Sequence, residues 1–158
     1  MTDFSALYQK YAPDVFRFAL YLSGNHGEAE DITSETFVRA WTSSAHIEMA
    51  TLRGYLFTIA RNLFLQGKRK SSRHRALDET LPDHRPGPYD RVEQRAQLDA
   101  VIARLQKLPE VDRAALLMRA LEGSPYEEIA RALGISIASA KVKVHRARLA
   151  LAGEEAPR

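Results

Sequence analysis

The sequence has no cysteine, which excludes a disulfide framework, a thiolate zinc site and a cysteine nucleophile. No run of about eighteen apolar residues could span a bilayer, and the chain does not open with the pattern of a signal peptide. A glycine-rich phosphate loop is missing, and the five histidines are scattered without metal-ligand spacing. We therefore expect no catalytic residue, no metal, no cofactor and no membrane insertion, and a cytoplasmic location.

Lasting alternation of apolar and polar residues, the pattern of a half-buried strand, is also missing. Apolar residues recur instead at helical spacing, most clearly from Leu52 to Phe64. The sequence therefore predicts an all-α fold, and Pro13 is expected to kink or restart the first helix. The predicted helical segments span 4–22, 27–41, 52–64, 92–107, 109–123, 126–133 and 136–151.

A proline-rich segment divides the chain. Residues 78–90 hold three of the seven prolines, one glycine and four acids, a composition typical of a flexible linker. We therefore place a linker at 77–92 between two small helical domains, 1–76 and 93–153, and expect a mobile pair of domains in the free chain. A length of 158 residues suits this division.

Residues 126–148, YEEIARALGISIASAKVKVHRAR, have the form of two short helices around a tight turn. Ser124 is expected to cap the first helix and to form a capping box with Glu127. Gly134 follows that helix, where a left-handed residue is cheapest, and Ser136 can cap the next helix. These local features favour a helix-turn-helix whose second helix enters the DNA major groove.

The second helix of this motif separates an apolar stripe from a set of basic residues. Apolar side chains recur at spacings of four, three and four, and the cations lie elsewhere on the helix surface. A plain helical hairpin with a solvated basic face is the alternative, but the caps and the turn glycine favour DNA binding. The stripe is Ala140, Val144, Ala147 and Leu151, and the basic residues are Lys141, Lys143, His145, Arg146 and Arg148.

A second basic region spans residues 61–75, where six lysines and arginines occur with no acid. Such a run can neutralise nucleic-acid phosphates with a salt-dependent affinity, although it could equally be a solubilising tail. The net charge of +3 is mild, so the distribution of charge is more informative than its sum.

Three blocks of the chain, EAEDITSETFVRAW, YLFTIARNLFLQGKRK and LPEVDRAALLMRALEGSPYEEIARALGISIASAKVKVHRARLAL, resemble the extracytoplasmic function (ECF) sigma factors, which are specificity subunits of bacterial RNA polymerase. Their order and the short linker match that family over nearly the whole chain. The resemblance implies binding to the polymerase core and to promoter DNA, promoter-specific transcription initiation, and no covalent chemistry. In many ECF sigma factors an anti-sigma protein lodges between the two domains, so an anti-sigma factor is implied as a further partner.

The resemblance also assigns a docking surface to the helix at 31–41. That helix resembles the part that binds the clamp helices of the largest polymerase subunit, where charges register the partner and apolar neighbours supply buried area. Without the resemblance it would be an ordinary amphipathic helix. Its candidate residues are Asp31, Glu35, Phe37, Arg39 and Trp41.

The loop at 42–51 and the helix after it resemble the part that melts and reads the minus-ten promoter element. In the family a flipped base sits in a pocket of that loop. Asn62 could hydrogen-bond a base or cap backbone locally, and the two roles have equal weight. The candidate minus-ten residues are Arg61, Asn62, Lys68, Arg69 and Lys70.

The last helix resembles the reader of the minus-thirty-five element, which is bound as duplex DNA. Lysine or arginine can pair with guanine edges, and valine can contact a thymine methyl. The family often has Gly-Thr-Val-Lys-Ser where this chain has Ala138 to Val142, which alters the expected base preference. The candidate residues are Ser136, Ser139, Lys141, Val142, Lys143, His145 and Arg146.

A stand-alone helix-turn-helix regulator with a helical N-terminal dimerisation domain is the alternative function, and its operator would be palindromic. The basic and aromatic residues at 55–75 argue against it, because a dimerisation domain does not need to melt DNA. A third interpretation, a helical protein that holds another regulator, does not explain the lysines of the last helix. The paired carboxylates Glu127 and Glu128 are expected to be exposed rather than catalytic.

Overall fold

The computed structural model of the chain describes residues 4–42, 51–75 and 92–153, without the side chains of 70–75 and 92–94. Every regular element in those ranges is a helix, which confirms the all-α prediction. None of the helices described is long and apolar enough to cross a membrane. They are α1 (Phe4–Ser23), α2 (His26–Thr42), α3 (Leu52–Arg75), α4 (Val92–Gln106), α5 (Glu110–Glu122), α6 (Tyr126–Leu133) and α7 (Ile137–Leu151).

Two predicted segments fall mainly outside the described residues. The linker at 77–92 lies outside them except for Val92, and the loop at 42–51 lies outside them except for its two ends. The exact domain boundaries therefore stay predictions. Helices α1 to α3 are called the N-terminal helices and α4 to α7 the C-terminal helices.

Helix α1 runs without a break through Pro13, so the predicted restart of the helix at that residue is wrong. A proline inside a helix removes one backbone hydrogen bond and costs about 3 kcal/mol. Tertiary packing offsets this cost, because Leu7 on one side of Pro13 and Val15 and Phe18 on the other are all buried.

The N-terminal helices pack around large aromatic side chains. Phe18 of α1 and Phe57 of α3 are buried, and their ring centroids are 4.9 Å apart. Thr33 and Thr36 of α2 face the same core, where each hydroxyl donates to the carbonyl one turn earlier, at 2.7 and 2.6 Å. These bonds satisfy the hydroxyls, so α2 can bury polar residues without an unpaired group.

The C-terminal helices pack around α5, which is buried from Asp112 to Met118. Helix α7 lies along it with the predicted stripe turned inward: Ala140, Val144 and Ala147 are buried, and Leu151 is partly buried against the same core. This confirms the stripe. Small side chains at the contact let the two helix axes approach closely.

The turn between α6 and α7 agrees with the sequence prediction. Gly134 has a φ of 67°, in the left-handed region that favours glycine. The hydroxyl of Ser136 accepts a hydrogen bond of 3.0 Å from the backbone N–H of Ser139. Ser136 therefore caps α7 and fixes where the basic helix begins.

The predicted capping box at the start of α6 is wrong. Pro125 is the residue that precedes the helix, and no side chain caps it. The carbonyl of Pro125 accepts bonds of 3.0 Å from the amides of Glu128 and Ile129. Ser124 is buried, and its carbonyl accepts a 3.0 Å bond from Arg119. The fixed φ of proline suits the helix start without a hydroxyl cap.

The N-terminal and C-terminal helices pack directly on each other and share one buried apolar core. The side-chain amide of Gln106 donates to the carbonyl of Tyr21 at 2.9 Å. Gly24 lies beside it with a φ of 72°, and an added Cβ there would sit 2.9 Å from Gln106. This closed arrangement differs from the mobile pair that we expected, because linker composition does not report what the domain surfaces bury.

Arg113 ties α5 to the end of α4. Its side chain is buried and donates at 3.3 Å to the carbonyls of Leu105, Gln106 and Leu108. Burial lowers the pKa of this guanidinium, while the nearby charge of Glu110 acts to raise it. These carbonyls lie at the end of α4 and in the turn after it, where a helix leaves acceptors without partners from its own ladder, although that of Leu105 also accepts a 3.1 Å bond from the amide of Leu108.

Arg113→Met is expected to lower the free energy of unfolding by about 2 kcal/mol, because the buried carbonyls lose a donor that a thioether cannot replace. Urea denaturation followed by circular dichroism measures the change. Arg131→Met replaces an exposed arginine of α6 and is the control, with an expected change below about 0.5 kcal/mol. Equal losses in the two variants would contradict a structural role for the carbonyl contacts.

Candidate nucleic-acid interface

Helix α7 presents an exposed face opposite its buried stripe. Lys141, Val142, His145 and Arg146 are exposed on it, while Ser139 and Lys143 are partly exposed. Val142 has 58% of its surface accessible, a high value for an apolar residue. An apolar side chain flanked by cations on one helix face suits a DNA groove, where it can meet a thymine methyl between phosphate contacts.

The aromatic ring of Tyr126 positions one of these cations. The Lys141 ammonium lies 5.8 Å from the ring centroid, and the Arg119 guanidinium lies 4.5 Å from it. Cation–π attraction of this kind favours one placement of a flexible lysine side chain. Helix α6 therefore helps to orient the first basic residue of α7.

Asp112 of α5 holds two further cations of α7. Arg146 donates to its carboxylate through Nε at 2.8 Å and Nη2 at 3.1 Å, and the Lys143 ammonium lies 3.6 Å away. The hydrogen bonds that Arg146 donates to Asp112, together with the negative charge of that carboxylate, raise the pKa of Arg146. The side chain of Arg146 is still 48% exposed, so the pair fixes its direction without removing it from solvent.

The predicted minus-ten residues on α3 do not share one environment. Asn62, Lys68 and Arg69 are exposed, whereas Arg61 is 9% exposed. Arg61 donates through Nε and Nη2 to the two carboxylate oxygens of Glu110, both at 2.8 Å. In the closed arrangement it is therefore bonded to the C-terminal helices. The side chain of the remaining candidate, Lys70, lies outside the described ones.

Four of the five predicted docking residues on α2 are at the surface. Asp31, Glu35, Arg39 and Trp41 are exposed, and Glu35 pairs with Arg39 at 3.2 Å one turn along the helix. Phe37 is fully buried. Its ring therefore supports the surface from below and does not offer contact area to a partner.

An aromatic surface adjoins these residues, and sequence reasoning did not assign it. Phe4 and Tyr8 of α1 and Val38 of α2 are exposed beside Trp41. The Phe4 and Trp41 rings meet edge to face at 5.5 Å, and the Phe4 and Tyr8 rings stack at 6.2 Å. We call Phe4, Tyr8, Val38 and Trp41 the docking patch, since clustered aromatic residues are enriched at protein interfaces.

Acidic residues of the C-terminal helices are the other group that the sequence did not reveal. Glu110 and Asp112 are two positions apart, so their side chains leave α5 in nearly opposite directions. One reaches Arg61 of α3 and the other reaches Arg146 of α7. Both acids also lie in the first turn of α5, where negative charge is favourable at a helix N-terminus.

Glu128 corrects a further expectation. It is buried rather than exposed, and its carboxylate accepts bonds from the hydroxyl and the backbone N–H of Thr51 at 2.8 and 3.2 Å. Glu122 nearby pairs with Arg53 at 2.9 Å, and burial raises its pKa while Arg53 acts to lower it. Three acids of the C-terminal helices thus contact α3 or the residue before it: Glu110 meets Arg61, Glu122 meets Arg53 and Glu128 meets Thr51.

The described part of the chain contains no candidate metal site. No group of three or more histidine, aspartate or glutamate side chains in that part could hold a metal ion. What the two helices α3 and α7 offer is cationic, apolar and hydrogen-bonding surface, which suits noncovalent binding of nucleic acid.

Comparison with known protein families gives a match for each half of the chain. Residues 7–74 match the family Sigma-70 region 2, and residues 98–151 match the family Sigma-70, region 4. The chain is 36% identical over 154 residues to the ECF RNA polymerase sigma factor SigE of Mycolicibacterium smegmatis, across 94% of this chain. It is 34% identical over 139 residues to the ECF RNA polymerase sigma factor EcfG of Rhodopseudomonas palustris, across 86% of this chain. It spans 60% of the length of that SigE and 76% of that EcfG.

The fold is similar to that of the sigma factor RpoE in a co-crystal structure with the anti-sigma factor NepR from Bartonella quintana. The TM-score is 0.78 at 30% sequence identity, and the match covers 97% of this chain and 96% of that chain. Both halves are therefore included in one superposition. Nothing in these matches supports a stand-alone regulator, since each half corresponds to a sigma-factor region. The chain belongs to the ECF sigma factors, the alternative sigma factors that direct transcription initiation by bacterial RNA polymerase.

Proposed function

We propose that this chain binds core RNA polymerase, reads the minus-thirty-five element as duplex through α7, and melts the minus-ten element through α3 and the loop before it. The observation that carries the proposal is the helix-turn-helix with its exposed basic face, in one chain with a second exposed basic helix and the docking patch. A protein that only binds duplex DNA would not need the second basic helix or the docking patch.

The role of α7 follows from its placement and its caps. A recognition helix contacts base edges near its N-terminal end, and the Ser136 cap leaves Ser139, Lys141 and Val142 in the first turns. Lys141 can reach a guanine edge or a phosphate, and Val142 can contact a thymine methyl. Lys143, His145 and Arg146 extend this face, and Asp112 orients the guanidinium of Arg146 toward it.

The role of α3 rests on its exposed polar and basic residues. Asn62, Lys68 and Arg69 lie along the helix, where the cations can neutralise phosphates of a separated strand. Lys70 continues the basic run in the sequence. Extruding and unstacking a base costs a few kcal/mol, and contacts of these residues with the melted strand offset that cost. Arg61 joins them once its pair with Glu110 parts.

The docking patch and the charges beside it are the proposed polymerase-binding surface. Trp41 has 51% of its surface exposed, which is unfavourable in water for a large aromatic residue. Asp31, Glu35 and Arg39 border it and can fix the register of a charged partner helix. Phe37 contributes by holding Tyr8, whose ring lies 4.9 Å from its own.

An anti-sigma factor is a further proposed partner. The similar RpoE structure contains the anti-sigma factor NepR, and 97% of this chain superposes on that fold. We further propose a cytoplasmic location, where the polymerase acts, and no catalytic activity of the chain itself.

Reconstitution of the purified chain with bacterial core RNA polymerase tests the function. Transcription from sheared host genomic DNA should give discrete start sites that core alone does not give, each preceded by two spaced motifs. Failure to bind core, together with footprints on palindromic duplex DNA, would instead favour a stand-alone regulator.

Substitutions on the two helices should separate the two DNA contacts. Lys141→Ala or Arg146→Ala is expected to weaken binding to duplex minus-thirty-five DNA by about 1–3 kcal/mol and to reduce the salt slope by about 1, as measured by fluorescence anisotropy. Arg61→Ala should spare that binding and slow open-complex formation, as measured by permanganate reactivity. Lys107→Ala, at an exposed lysine between α4 and α5, is the control. Normal opening by Arg61→Ala would exclude Arg61 from the minus-ten contact.

Trp41→Ala should weaken assembly with core polymerase by at least about tenfold, because a central exposed aromatic residue dominates many interfaces. Val101→Ala is the matched control, since Val101 of α4 is 47% exposed and lies outside the docking patch. Equilibrium binding of the labelled chain to core measures both variants. Equal affinities would move the polymerase-binding surface elsewhere on the molecule.

A further inference from the structure

The contact between Arg61 and Glu110 joins the two halves of the molecule in a geometry that imitates phosphate binding. Arg61 presents its planar fork to two carboxylate oxygens, both at 2.8 Å. Guanidinium binds phosphate through the same fork, with two parallel hydrogen bonds. Side-chain exposure is 11% for Arg61 and 13% for Glu110, so a phosphate cannot reach this fork while the pair is intact.

Three acids of the C-terminal helices each meet a donor across this boundary. The C-terminal helices supply the acids Glu110, Glu122 and Glu128. Helix α3 and the residue before it supply the donors Arg61, Arg53 and Thr51. Complementary contacts of this kind favour one register of two surfaces, and the donors to these three acids all come from the segment that the proposed function assigns to promoter melting.

In the closed arrangement, where the N-terminal and C-terminal helices pack on each other, α3 and α7 are also too close together to reach both promoter elements. The minus-ten and minus-thirty-five elements lie about 25 base pairs apart, which is roughly 85 Å along the duplex. A compact chain of this length has a radius of gyration of about 15 Å. Helices α3 and α7 are both packed on the same core through α5 and α1. They cannot read both elements until the halves separate.

We propose that Glu110 is an autoinhibitory residue. It acts as an internal substitute for phosphate, which holds Arg61 and keeps the free chain closed until core polymerase and promoter DNA separate the halves. This inference rests on the proposed function, because it gives Arg61 a second role as a minus-ten contact. The measured affinity for core is then reduced by the free energy needed to separate the two halves. Weakening the pair of Arg61 and Glu110 lowers that free energy and should therefore tighten core binding.

Two acids in the first turns of C-terminal helices, Glu110 of α5 and Glu127 of α6, allow a comparison. Glu110→Gln removes the charge that holds Arg61 and preserves the size of the side chain. Glu127→Gln removes the same charge from the first turn of α6, where the residue is exposed. Both substitutions lose a favourable charge at a helix N-terminus, so a difference between them reports the contact with Arg61.

The absence of native cysteine makes closure directly measurable. Cysteines introduced at Ser34 of α2 and Ala120 of α5, both exposed, can carry a donor and an acceptor dye in the full chain. We expect Glu110→Gln to lower the transfer efficiency and Glu127→Gln to leave it unchanged. Unlabelled Glu110→Gln should bind core about fivefold more tightly, which corresponds to about 1 kcal/mol.

A charge exchange tests the same contact without relying on one variant. The double variant Arg61→Glu with Glu110→Arg should restore high transfer efficiency and ordinary core affinity, yet it should open promoters poorly because α3 no longer has a cation at position 61. Arg61→Ala should open the free chain as Glu110→Gln does, but only Glu110→Gln should keep normal promoter opening.

These outcomes separate the inference from the function on which it rests. If Glu110→Gln matches Glu127→Gln in transfer efficiency and in core affinity, Glu110 does not hold the chain closed and the inference is overturned. If the unsubstituted chain gives no promoter-specific start sites with core, the proposed function fails whatever the dyes report.

Discussion

The burial of α5 between two sets of partners is the constraint on which the other contacts depend. Its residues from Asp112 to Met118 are buried, and it packs on α1 of one half and on α7 and α6 of the other. Arg113 fixes the start of the helix by binding three carbonyls before it. With that end held, the two acids that precede Arg113, Glu110 and Asp112, have defined directions, and each meets an arginine of a different helix.

Local features were predictable from the sequence because their causes lie within a few residues. The positive φ at Gly134, the cap at Ser136 and the inward stripe of α7 all follow from residue type and spacing. The start of α6 was missed because serine is a usual cap and proline usually follows at the first helical position, whereas here Pro125 itself precedes the helix. Of the kink or restart expected at Pro13, the restart was wrong because the packing of buried residues on both sides of Pro13 keeps the helix continuous.

The candidate sites were predictable as sets of residues on helices but not as pairs. A single sequence contains no record of which acid meets Arg61, since Glu110 lies 49 positions away. Burial of Phe37 and exposure of Phe4 and Tyr8 likewise depend on how α1 crosses α2. Periodicity gives the face of each helix, whereas the partner of that face is a property of the assembled fold.

The opposite directions of Glu110 and Asp112 have a consequence for how promoter preference can change. One turn of one helix contacts a candidate residue for each promoter element. A substitution that shifts this turn would therefore alter both contacts together, and natural variation here would be constrained to changes that both elements tolerate. Independent drift of the two preferences would instead occur at positions such as Val142 and Asn62, which lie on the exposed surfaces of α7 and α3 and away from that turn.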